Sequence, residues 1–377
     1  MEPRILLLAD ISSAHIEKWV VALAQKGYQI GIFSLTKSHT AWYSAYKNIE
    51  VLYEGPISGQ SYSILTKVRY LFALPKLWSC IKSFSPTVMH AHYATSYGLL
   101  GALSKSVPFI ISAWGSDIYE FPKKSFLHRT LLKFNLRAAD KILSTSYVMK
   151  GELWKYSHKE IEVVPFGVET DVFYPYILES RNENIIHIGT IKAMEDIYGI
   201  KTIIEAIDLV KHVLPETDLK VFFIGGGNKT KHYKKLVSSK KLEDTFIFTG
   251  RIPHSDITDY HNLLDILLNV STVDESFGVS VIEGMACEKA VIVSDAPGLK
   301  EVIGNCGIVV EKKNETQLAE AIVQLIQSPE LRTSLGKAAR KHVLKNYDFK
   351  NCLRQMEKIY NSFVDVSVNA EPAGYKL

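Results

Sequence analysis

Short apolar segments alternate with amphipathic helical segments along most of the chain, and this alternation restricts the fold more than any other feature of the sequence. In the first half, the apolar runs lie at residues 5–8, 28–35, 87–91, 109–112, 141–144 and 161–164. A second series follows at residues 185–188, 219–224, 245–249, 266–270, 290–293 and 307–310. Repeated strand–helix units form parallel sheets with helices on both faces. Two such series predict two doubly wound α/β domains.

The position where the two series meet predicts the domain boundary. A chain of 377 residues is long enough for two domains, each with its own core. Between residues 175 and 184, Pro, Glu, Ser, Arg and Asn residues interrupt the apolar pattern, as is typical of a linker. We therefore predict a first domain over residues 1–178 and a second domain over residues 179–349.

Polar residues follow several of the predicted strands, at the edge where doubly wound domains bind ligands. They lie at residues 10–13, 90–92, 114–117, 189–192 and 225–228. The three glycines at 225–227 favour a tight turn over ligand contact, and Asp117 belongs either to the site or to the cap of a turn. We expect His90 and His92 to point to opposite faces of their strand, so that only one of them, His92, faces a ligand. Since no third or fourth ligand has a suitable spacing, the sequence predicts no metal site.

Residues 273–296 carry the strongest candidate site. They indicate a loop, a helix from near Gly278 to about Glu288, a tight turn and a strand. Glu275 therefore falls in the loop and Glu283 on the second turn of the helix. The first N–H groups of a helix can bind an anion, and a glycine there permits close approach. Two carboxylates flanking such an N-terminus suit a ligand with hydroxyls at both ends and phosphates between, as in a nucleotide sugar. The alternative is that both residues only interact with the helix dipole.

The string E-S-F-G-V-S-V-I-E-G-M-A at residues 275–286 resembles the signature of the retaining glycosyltransferases of family four, in which seven residues separate two Glu. Residues 164–169, 248–251 and 294–302 resemble three further segments of that family. The resemblance implies the GT-B fold, with two Rossmann-like doubly wound parallel-sheet domains facing across a cleft. It also implies a C-terminal helix, about residues 350–377, that packs back on the first domain. The region 340–363 fits this helical end, with a bend at residues 347–349.

The resemblance further implies the roles of the site residues in a metal-independent hexosyltransferase without a cofactor. The donor would be a nucleotide diphosphate sugar, preferably UDP-linked. Glu283 would accept hydrogen bonds from the ribose, Glu275 would hold a hydroxyl of the sugar, and Lys192 would stabilise the diphosphate. The other donor-side candidates are Gly189, Thr190, Arg251, Ile252, Ser276, Phe277, Gly278 and Val279. The acceptor-side candidates are Ser12, Ser13, His15 and Trp114, with His92 and Asp117 as further catalytic candidates.

The chain departs from the family pattern at two positions expected to bind the phosphates and at one expected to contact the sugar. Thr190 stands where the family usually has Arg, Tyr198 stands where a Lys is usual, and Trp114 replaces a usual His. Lys192 is the nearest cation that could substitute. Two alternatives therefore remain, a catalytically weak nucleotide-sugar-binding or scaffold protein of the same fold, and a nucleotide-sugar epimerase of the same fold.

The first half of the chain is basic, which bears on the kind of acceptor and on where in the cell the protein is found. Residues 1–178 carry 19 Lys and Arg against 13 Asp and Glu, which suits an anionic surface or acceptor. Arg129, Lys133 and Arg137 form a stripe on a predicted helix, which either packs on the domain or contacts anionic lipid. The family implies a glycan or lipid-linked acceptor in surface polysaccharide synthesis, and we expect no nucleic-acid partner. With no signal peptide, no membrane span and no C-x-x-C pair, the sequence predicts a cytoplasmic protein, with peripheral attachment to the inner face of the membrane as an extension.

Overall fold

The computed structural model describes residues 3–56, 70–104, 107–179 and 181–369. The chain divides into two compact units. The first comprises Met1–Pro165 with Cys352–Leu377, and the second comprises Phe166–Asn351.

The first unit is a doubly wound parallel sheet with helices packed on it. Its strands, in chain order, are β1 (Arg4–Leu8), β2 (Gln29–Ser34), β3 (Ile49–Glu54), β4 (Val88–His92), β5 (Phe109–Ser112), β6 (Lys141–Ser144) and β7 (Ile161–Val163). Its helices are α1 (Ala14–Gln25), α2 (Leu74–Phe84), α3 (Ser96–Ser104), α4 (Ser116–Tyr119), α5 (Phe126–Ala138) and α6 (Tyr147–Leu153), with short 3₁₀ helices at Trp42–Ala45 and Phe121–Lys123. The strand order is β3-β2-β1-β4-β5-β6-β7. The central strand β1 is buried from Ile5 to Leu8, because helices cover both faces of a parallel sheet.

The second unit repeats this plan with one strand fewer among the described residues. Its strands are β8 (Ile186–Ile191), β9 (Leu219–Ile224), β10 (Phe246–Gly250), β11 (Ile266–Asn269), β12 (Ala290–Ser294) and β13 (Ile308–Val310), in the order β10-β9-β8-β11-β12-β13. Its helices are α7 (Ile200–Val213), α8 (Thr230–Ser239), α9 (Ile257–Leu263), α10 (Val279–Ala286), α11 (Pro297–Ile303), α12 (Glu315–Gln327) and α13 (Pro329–Asn346), with 3₁₀ helices at Asp196–Tyr198 and His254–Asp256. The last helix, α14 (Phe349–Asn369), begins in this unit and belongs to the first unit from Cys352 onward.

Each sheet contains a switch point, where the connections leave a central strand in opposite directions. In the first sheet β1 lies between β2 and β4, and in the second β8 lies between β9 and β11. Open parallel sheets bind ligands at the carboxyl ends of the strands beside such a point. The loops after β1 and β4, and those after β8 and β11, are therefore the positions to inspect for function.

The predicted fold class of two doubly wound α/β domains is confirmed. Every predicted apolar run lies on a strand, and the predicted bend near 347–349 is the break between α13 and α14. The Tyr360 hydroxyl on α14 lies 2.7 Å from Nδ1 of His90, so this helix packs on the first unit.

The predicted boundary at residue 178 differs from the structure. The first unit ends at Pro165. The segment after it packs on the second unit, where the Val168 N–H donates to the Tyr347 carbonyl at 2.8 Å and the Tyr176 N–H donates to Asn262 Oδ1 at 3.0 Å. The composition change near residue 178 shows where the apolar pattern stops, whereas the boundary depends on which core the chain packs against.

Two further features bear on the expected surroundings of the protein. Among the described residues, no disulfide joins any of the cysteines, which are Cys80, Cys287, Cys306 and Cys352. Within the described ranges, no helix has both the length and the apolar character needed to cross a bilayer.

Candidate active site

Two predicted site residues meet at the switch point of the second sheet. Lys192 follows β8 directly, and Glu275 lies in the loop between β11 and α10. The Lys192 Nζ lies 3.0 Å from Oε1 and 2.9 Å from Oε2 of Glu275, and the two side chains are 15% and 14% exposed. The Ser271 hydroxyl donates to Oε1 of Glu275, and the Tyr198 ring centroid lies 4.9 Å from the Lys192 Nζ. A partly desolvated ammonium and a carboxylate therefore stand together where the fold binds ligands.

The backbone of the neighbouring strand fixes the position of Lys192. The Lys192 N–H donates to the Ile224 carbonyl at the end of β9, at 3.1 Å. Gly225 follows with φ of +137°, and a Cβ at this position would lie 2.2 Å from the Lys192 carbonyl oxygen. Only glycine tolerates this conformation and this close approach. The glycine run at 225–227 thus forms the turn that the sequence favoured, and it holds the backbone of Lys192.

The loop that carries Glu275 is anchored at two points. The Gly298 N–H at the start of α11 donates to the Glu275 carbonyl at 3.0 Å, and a Cβ on Gly298 would lie 2.3 Å from that oxygen. Phe277 is buried, with its ring 5.6 Å from the rings of both Phe166 and Tyr347. The Phe277 side chain therefore fixes the loop within the core, which leaves only its backbone available to a ligand.

The helix after this loop begins one residue later than predicted and ends two residues earlier. Gly278 is its N-cap, a residue without a side chain that could cap the first N–H groups. Val279 and Ser280, the first two helical residues, are half-buried. The first amides of a helix attract anions through their hydrogen-bonding capacity and the helix dipole.

Glu283 lies on the second turn of α10 and is buried. Its Oε2 lies 3.5 Å from Nε2 of His261 on α9. From the sequence, we did not predict a binding or positioning role for His261, Ser271 or Gly298. Ser271 offered a signal, since it follows β11 at the switch point, whereas His261 is brought to Glu283 only by the packing of two helices.

The remaining donor-side candidates are distributed along the second sheet. Gly189 and Thr190 are buried within β8, where a Cβ on Gly189 would lie 2.7 Å from the Leu264 side chain. Arg251 is exposed after the edge strand β10, and Ile252 beside it is half-buried. Within the described part of the chain, Arg251 forms no hydrogen bond or ion pair. Lys192 is thus the cation that the structure brings to Glu275, whereas Gly189 contributes packing.

In the first unit, Asp117 organises the loop between β5 and α4. Its carboxylate is fully buried and accepts hydrogen bonds from the N–H groups of Ala94 at 2.7 Å, Trp114 at 3.2 Å and Gly115 at 2.8 Å. Burial raises the pKa of Asp117, and these backbone N–H groups partly offset that effect. The geometry supports the turn-capping alternative for this residue.

The expected orientation of His90 and His92 was wrong. Residues two apart in a strand lie on the same face, and the two rings are 4.1 Å apart. His90 contacts the Tyr360 and Ser112 hydroxyls, each at 2.7 Å, whereas Nδ1 of His92 has no hydrogen-bond partner among the described residues. Burial lowers the pKa of His92 to about 3, so its imidazole is neutral near pH 7.

Two acceptor-side candidates, His15 and Trp114, come together with the catalytic candidate His92 at the switch point of the first sheet. The Trp114 ring lies 5.3 Å from the His92 ring and 6.0 Å from the His15 ring. Ser12 donates to Asp10 through its N–H at 3.0 Å and its hydroxyl at 2.7 Å, which orders the loop after β1. Ser13 is the N-cap residue of α1 without a side-chain capping bond.

The structure has two doubly wound units with polar residues at each switch point, and two Glu residues flank the glycine-capped start of α10. This arrangement is the one expected of a GT-B glycosyltransferase. Comparison with known proteins leads to the same class. A family model described as Glycosyl transferase 4-like matches residues 4–146, and one described as Glycosyl transferases group 1 matches residues 179–342. The chain therefore belongs to the glycosyltransferases of the family four type, and it is a hexosyltransferase.

Individual relatives cover most of the chain. An uncharacterised glycosyltransferase of Methanocaldococcus jannaschii is 29% identical over 291 residues, which is 76% of this chain and 78% of that protein. The N-acetyl-alpha-D-glucosaminyl L-malate synthase of Bacillus anthracis is 23% identical over 363 residues, or 90% of each chain. The solved structure of HepE from Anabaena, in complex with UDP, has a TM-score of 0.78 at 16% identity and covers 95% of this chain and 100% of that one.

Proposed function

We propose that the protein is a retaining hexosyltransferase that moves a sugar from a UDP-sugar to a glycan or lipid-linked acceptor in surface polysaccharide synthesis. The observation that carries this proposal is the Lys192–Glu275 pair beside the glycine-capped start of α10. Support for UDP comes from HepE of Anabaena, which was solved with UDP. Support for a hexosyl donor comes from the malate synthase of Bacillus anthracis, whose name specifies a glucosaminyl product.

The donor would bind along the carboxyl edge of the second sheet. Glu283 would accept hydrogen bonds from the ribose, and Glu275 would accept one from a hydroxyl of the sugar. The diphosphate would lie between them, against the first N–H groups of α10 and the Lys192 ammonium. Lys192 already faces a carboxylate at 2.9 Å, so it would exchange part of that contact for the phosphate oxygens.

The chemistry follows from where negative charge develops. The bond between the anomeric carbon and the diphosphate oxygen breaks, and the acceptor oxygen forms a new bond on the same face of the sugar. The leaving phosphate takes the proton of the acceptor hydroxyl. Lys192 and the helix amides stabilise the growing charge on the diphosphate, and we propose that they do so without a metal ion.

The acceptor would bind at the switch point of the first sheet. His92, Trp114 and His15 present aromatic rings there, with Ser12 and Ser13 in the adjoining loop. A neutral His92 supplies a polar edge without a charge, which suits a hydroxyl-bearing acceptor better than an ionic one.

Helix α5 supports peripheral attachment of a cytoplasmic protein to the membrane. Its buried face consists of Leu132, Asn135 and Leu136, as expected for an ordinary packed helix. Its first residues differ, because Phe126 and Leu127 are 78% and 76% exposed. Lys123 and Arg129 are exposed close to them in the sequence, and Arg137 is exposed further along the same helix. Apolar side chains among cations suit an anionic lipid surface, and we propose that this helix attaches the enzyme to the inner face of the cell membrane.

The transfer reaction tests the proposal directly. Purified protein is incubated with each of several UDP-sugars, with and without extracted lipid-linked glycans, and UDP release is measured. We expect acceptor-dependent UDP release and a product with the anomeric configuration of the donor. An inverted product, determined by NMR, would contradict retention, and binding of a donor without any consumption would favour the scaffold alternative.

The membrane attachment has a separate test. Co-sedimentation with vesicles containing anionic phosphatidylglycerol should be lost when Phe126 and Leu127 are both replaced by Ser. The matched control is Tyr147→Ser, since Tyr147 is also exposed, at 71%, but lies on α6. Equal sedimentation of the double variant and the control would show that α5 does not contact the membrane.

A further inference from the structure

The carboxylate of Glu283 is buried without the hydrogen bonds that a buried charge normally has. Its side chain is 11% exposed. Among the described residues, no donor forms a hydrogen bond with either carboxylate oxygen. A buried carboxylate is stable only when neighbouring groups compensate its charge or hydrogen-bond to it. In the described structure, no hydrogen bond therefore fixes the orientation of the Glu283 carboxylate.

His261 is the group placed to do this. It is fully buried on α9, and neither of its ring nitrogens has a hydrogen-bond partner among the described residues. A neutral imidazole always carries one N–H, so a donor is buried here without an acceptor. The nearest carboxylate oxygen is Oε2 of Glu283, at 3.5 Å from Nε2, which is just beyond a normal hydrogen bond.

The packing around the imidazole restricts where it can point. The Phe173 ring lies 5.9 Å from it in an edge-to-face arrangement. Gly284 also lies beside the ring, and a Cβ there would lie 3.2 Å from Nδ1 of His261. The absence of a side chain on the residue after Glu283 thus leaves room for the ring beside the carboxylate.

The other ionisable groups near this end of α10 are engaged elsewhere. The Arg340 guanidinium donates to the carbonyls of Ala286 and Phe173, and the Lys289 ammonium donates to the Asn262 carbonyl at 3.1 Å. Burial raises the pKa of the Cys287 thiol to about 12, so that it stays protonated. None of these groups hydrogen-bonds to Glu283, which leaves His261 as its neighbouring donor within the described structure.

We propose that His261 is a positioning residue for donor binding. When a nucleotide binds, a small shift of the Glu283 side chain lets the His261 Nε2–H donate to Oε2. This leaves Oε1 directed at the two hydroxyls of the ribose. The inference rests on the proposed role of Glu283 and adds to it the residue that sets the direction of the carboxylate. It also specifies the ligand class, a ribonucleotide with both hydroxyls free.

The test compares UDP with deoxy-UDP, which lacks one ribose hydroxyl, by isothermal titration calorimetry. The wild-type protein should bind UDP more tightly, and the ratio of the two dissociation constants measures recognition of the hydroxyl. His261→Phe keeps a ring but removes the N–H. It should weaken UDP binding about tenfold, as expected for one lost hydrogen bond to a charged group, and should bring the ratio close to one. His261→Gln, which can place an N–H near the Nε2 position, should recover most of the ratio.

Two controls separate a positioning role from a structural one. His187 is also buried, with its Nδ1 3.9 Å from a carboxylate oxygen of Asp265, but it does not contact Glu283. His187→Phe should keep the wild-type ratio. His261→Asn places an N–H at the Nδ1 position only, so it should lower the ratio as His261→Phe does. It replaces the Phe variant in the test if the Phe variant does not fold. Circular dichroism and thermal melts establish that each variant is folded.

The outcomes distinguish this inference from the proposed function. If Glu283→Ala lowers the ratio but folded His261→Phe and His261→Asn keep it, only the role of His261 is overturned. If the wild-type protein binds no UDP, or Glu283→Ala leaves the ratio unchanged, the donor site itself is misassigned and the inference falls with it.

Discussion

Replacing Lys192 by Ala should lower turnover more than it weakens donor binding. In the structure, the Lys192 ammonium contacts both oxygens of Glu275 and lies beside the Tyr198 ring. Removing it leaves Glu275 with the Ser271 hydroxyl as its remaining described donor, next to the place where an anionic diphosphate would bind. The diphosphate then loses a cation and gains a carboxylate whose charge is no longer balanced.

The size of the effect follows from these contacts. A hydrogen bond to a charged group contributes about 1.5–3 kcal/mol, which corresponds to a decrease of roughly one to two powers of ten in kcat/KM. Negative charge on the diphosphate grows as the sugar bond breaks, so most of this loss should appear in kcat. Lys192→Arg should recover only part of it, because a guanidinium differs from an ammonium in reach and geometry.

Steady-state kinetics with the cognate donor measure both constants. A double variant, Lys192→Ala with Glu275→Gln, removes both charges and should recover donor KM but not kcat. The matched control is Lys220→Ala. Lys220 lies near the amino end of β9, whereas the candidate site lies at the carboxyl ends of the strands, and its ammonium donates to the Asp244 carbonyl. An unchanged kcat in Lys192→Ala would refute the assignment and direct attention to Arg251, Lys201 or the helix amides alone.

Three further outcomes are expected. Glu283→Ala should mainly raise donor KM, and Glu275→Ala should mainly lower kcat. Each change should correspond to a free-energy loss of about 0.5–1.5 kcal/mol or more. Wild-type kinetics in both variants would show that the site is elsewhere. Activity should survive treatment with a chelator, and a loss that Mg²⁺ or Mn²⁺ reverses would contradict a metal-free reaction. Because burial lowers the pKa of His92 from 6.5 to about 3, the unfolded chain binds a proton that the folded first unit excludes. The contribution of His92 to the stability should therefore be complete above pH 6.5 and fall by about 1.4 kcal/mol per pH unit as the pH drops toward 3. Burial also lowers the pKa of His90, which adds a loss in the same direction. Urea unfolding of His92→Gln should show a weaker pH dependence than the wild type, and an equal one would contradict this cause.

Most of the fold could be predicted from the sequence because buried parallel strands appear as continuous apolar runs. The strand β3 is the exception. Its sequence includes Glu50 and Glu54, and it forms an edge of the first sheet with several half-exposed residues. Edge strands need no unbroken apolar run, so the pattern that located the other strands did not identify this one.

The candidate site was only partly predictable. The residue pattern of 273–296 predicted the loop and helix that carry Glu275 and Glu283, and the switch-point rule placed Lys192 at the same edge of the sheet. The contact between Lys192 and Glu275, however, depends on side-chain directions that the sequence pattern does not specify. His261 reaches Glu283 through packing between α9 and α10, which no local signal reports. The orientation of His90 and His92 was a different kind of error, since the two-residue period of a strand already places both on one face.

Donor binding tests the central claim most directly. Thermal unfolding is followed with a panel of UDP-, GDP-, ADP- and dTDP-sugars, since a ligand that binds the folded state raises its stability by mass action. We expect a UDP-sugar to raise the melting temperature of the wild-type protein, and we expect Glu283→Ala to reduce this shift at the same ligand concentration. If no nucleotide sugar in the panel shifts the wild-type transition, or if Glu283→Ala responds as the wild type does, the assignment of the donor site to the second unit is contradicted.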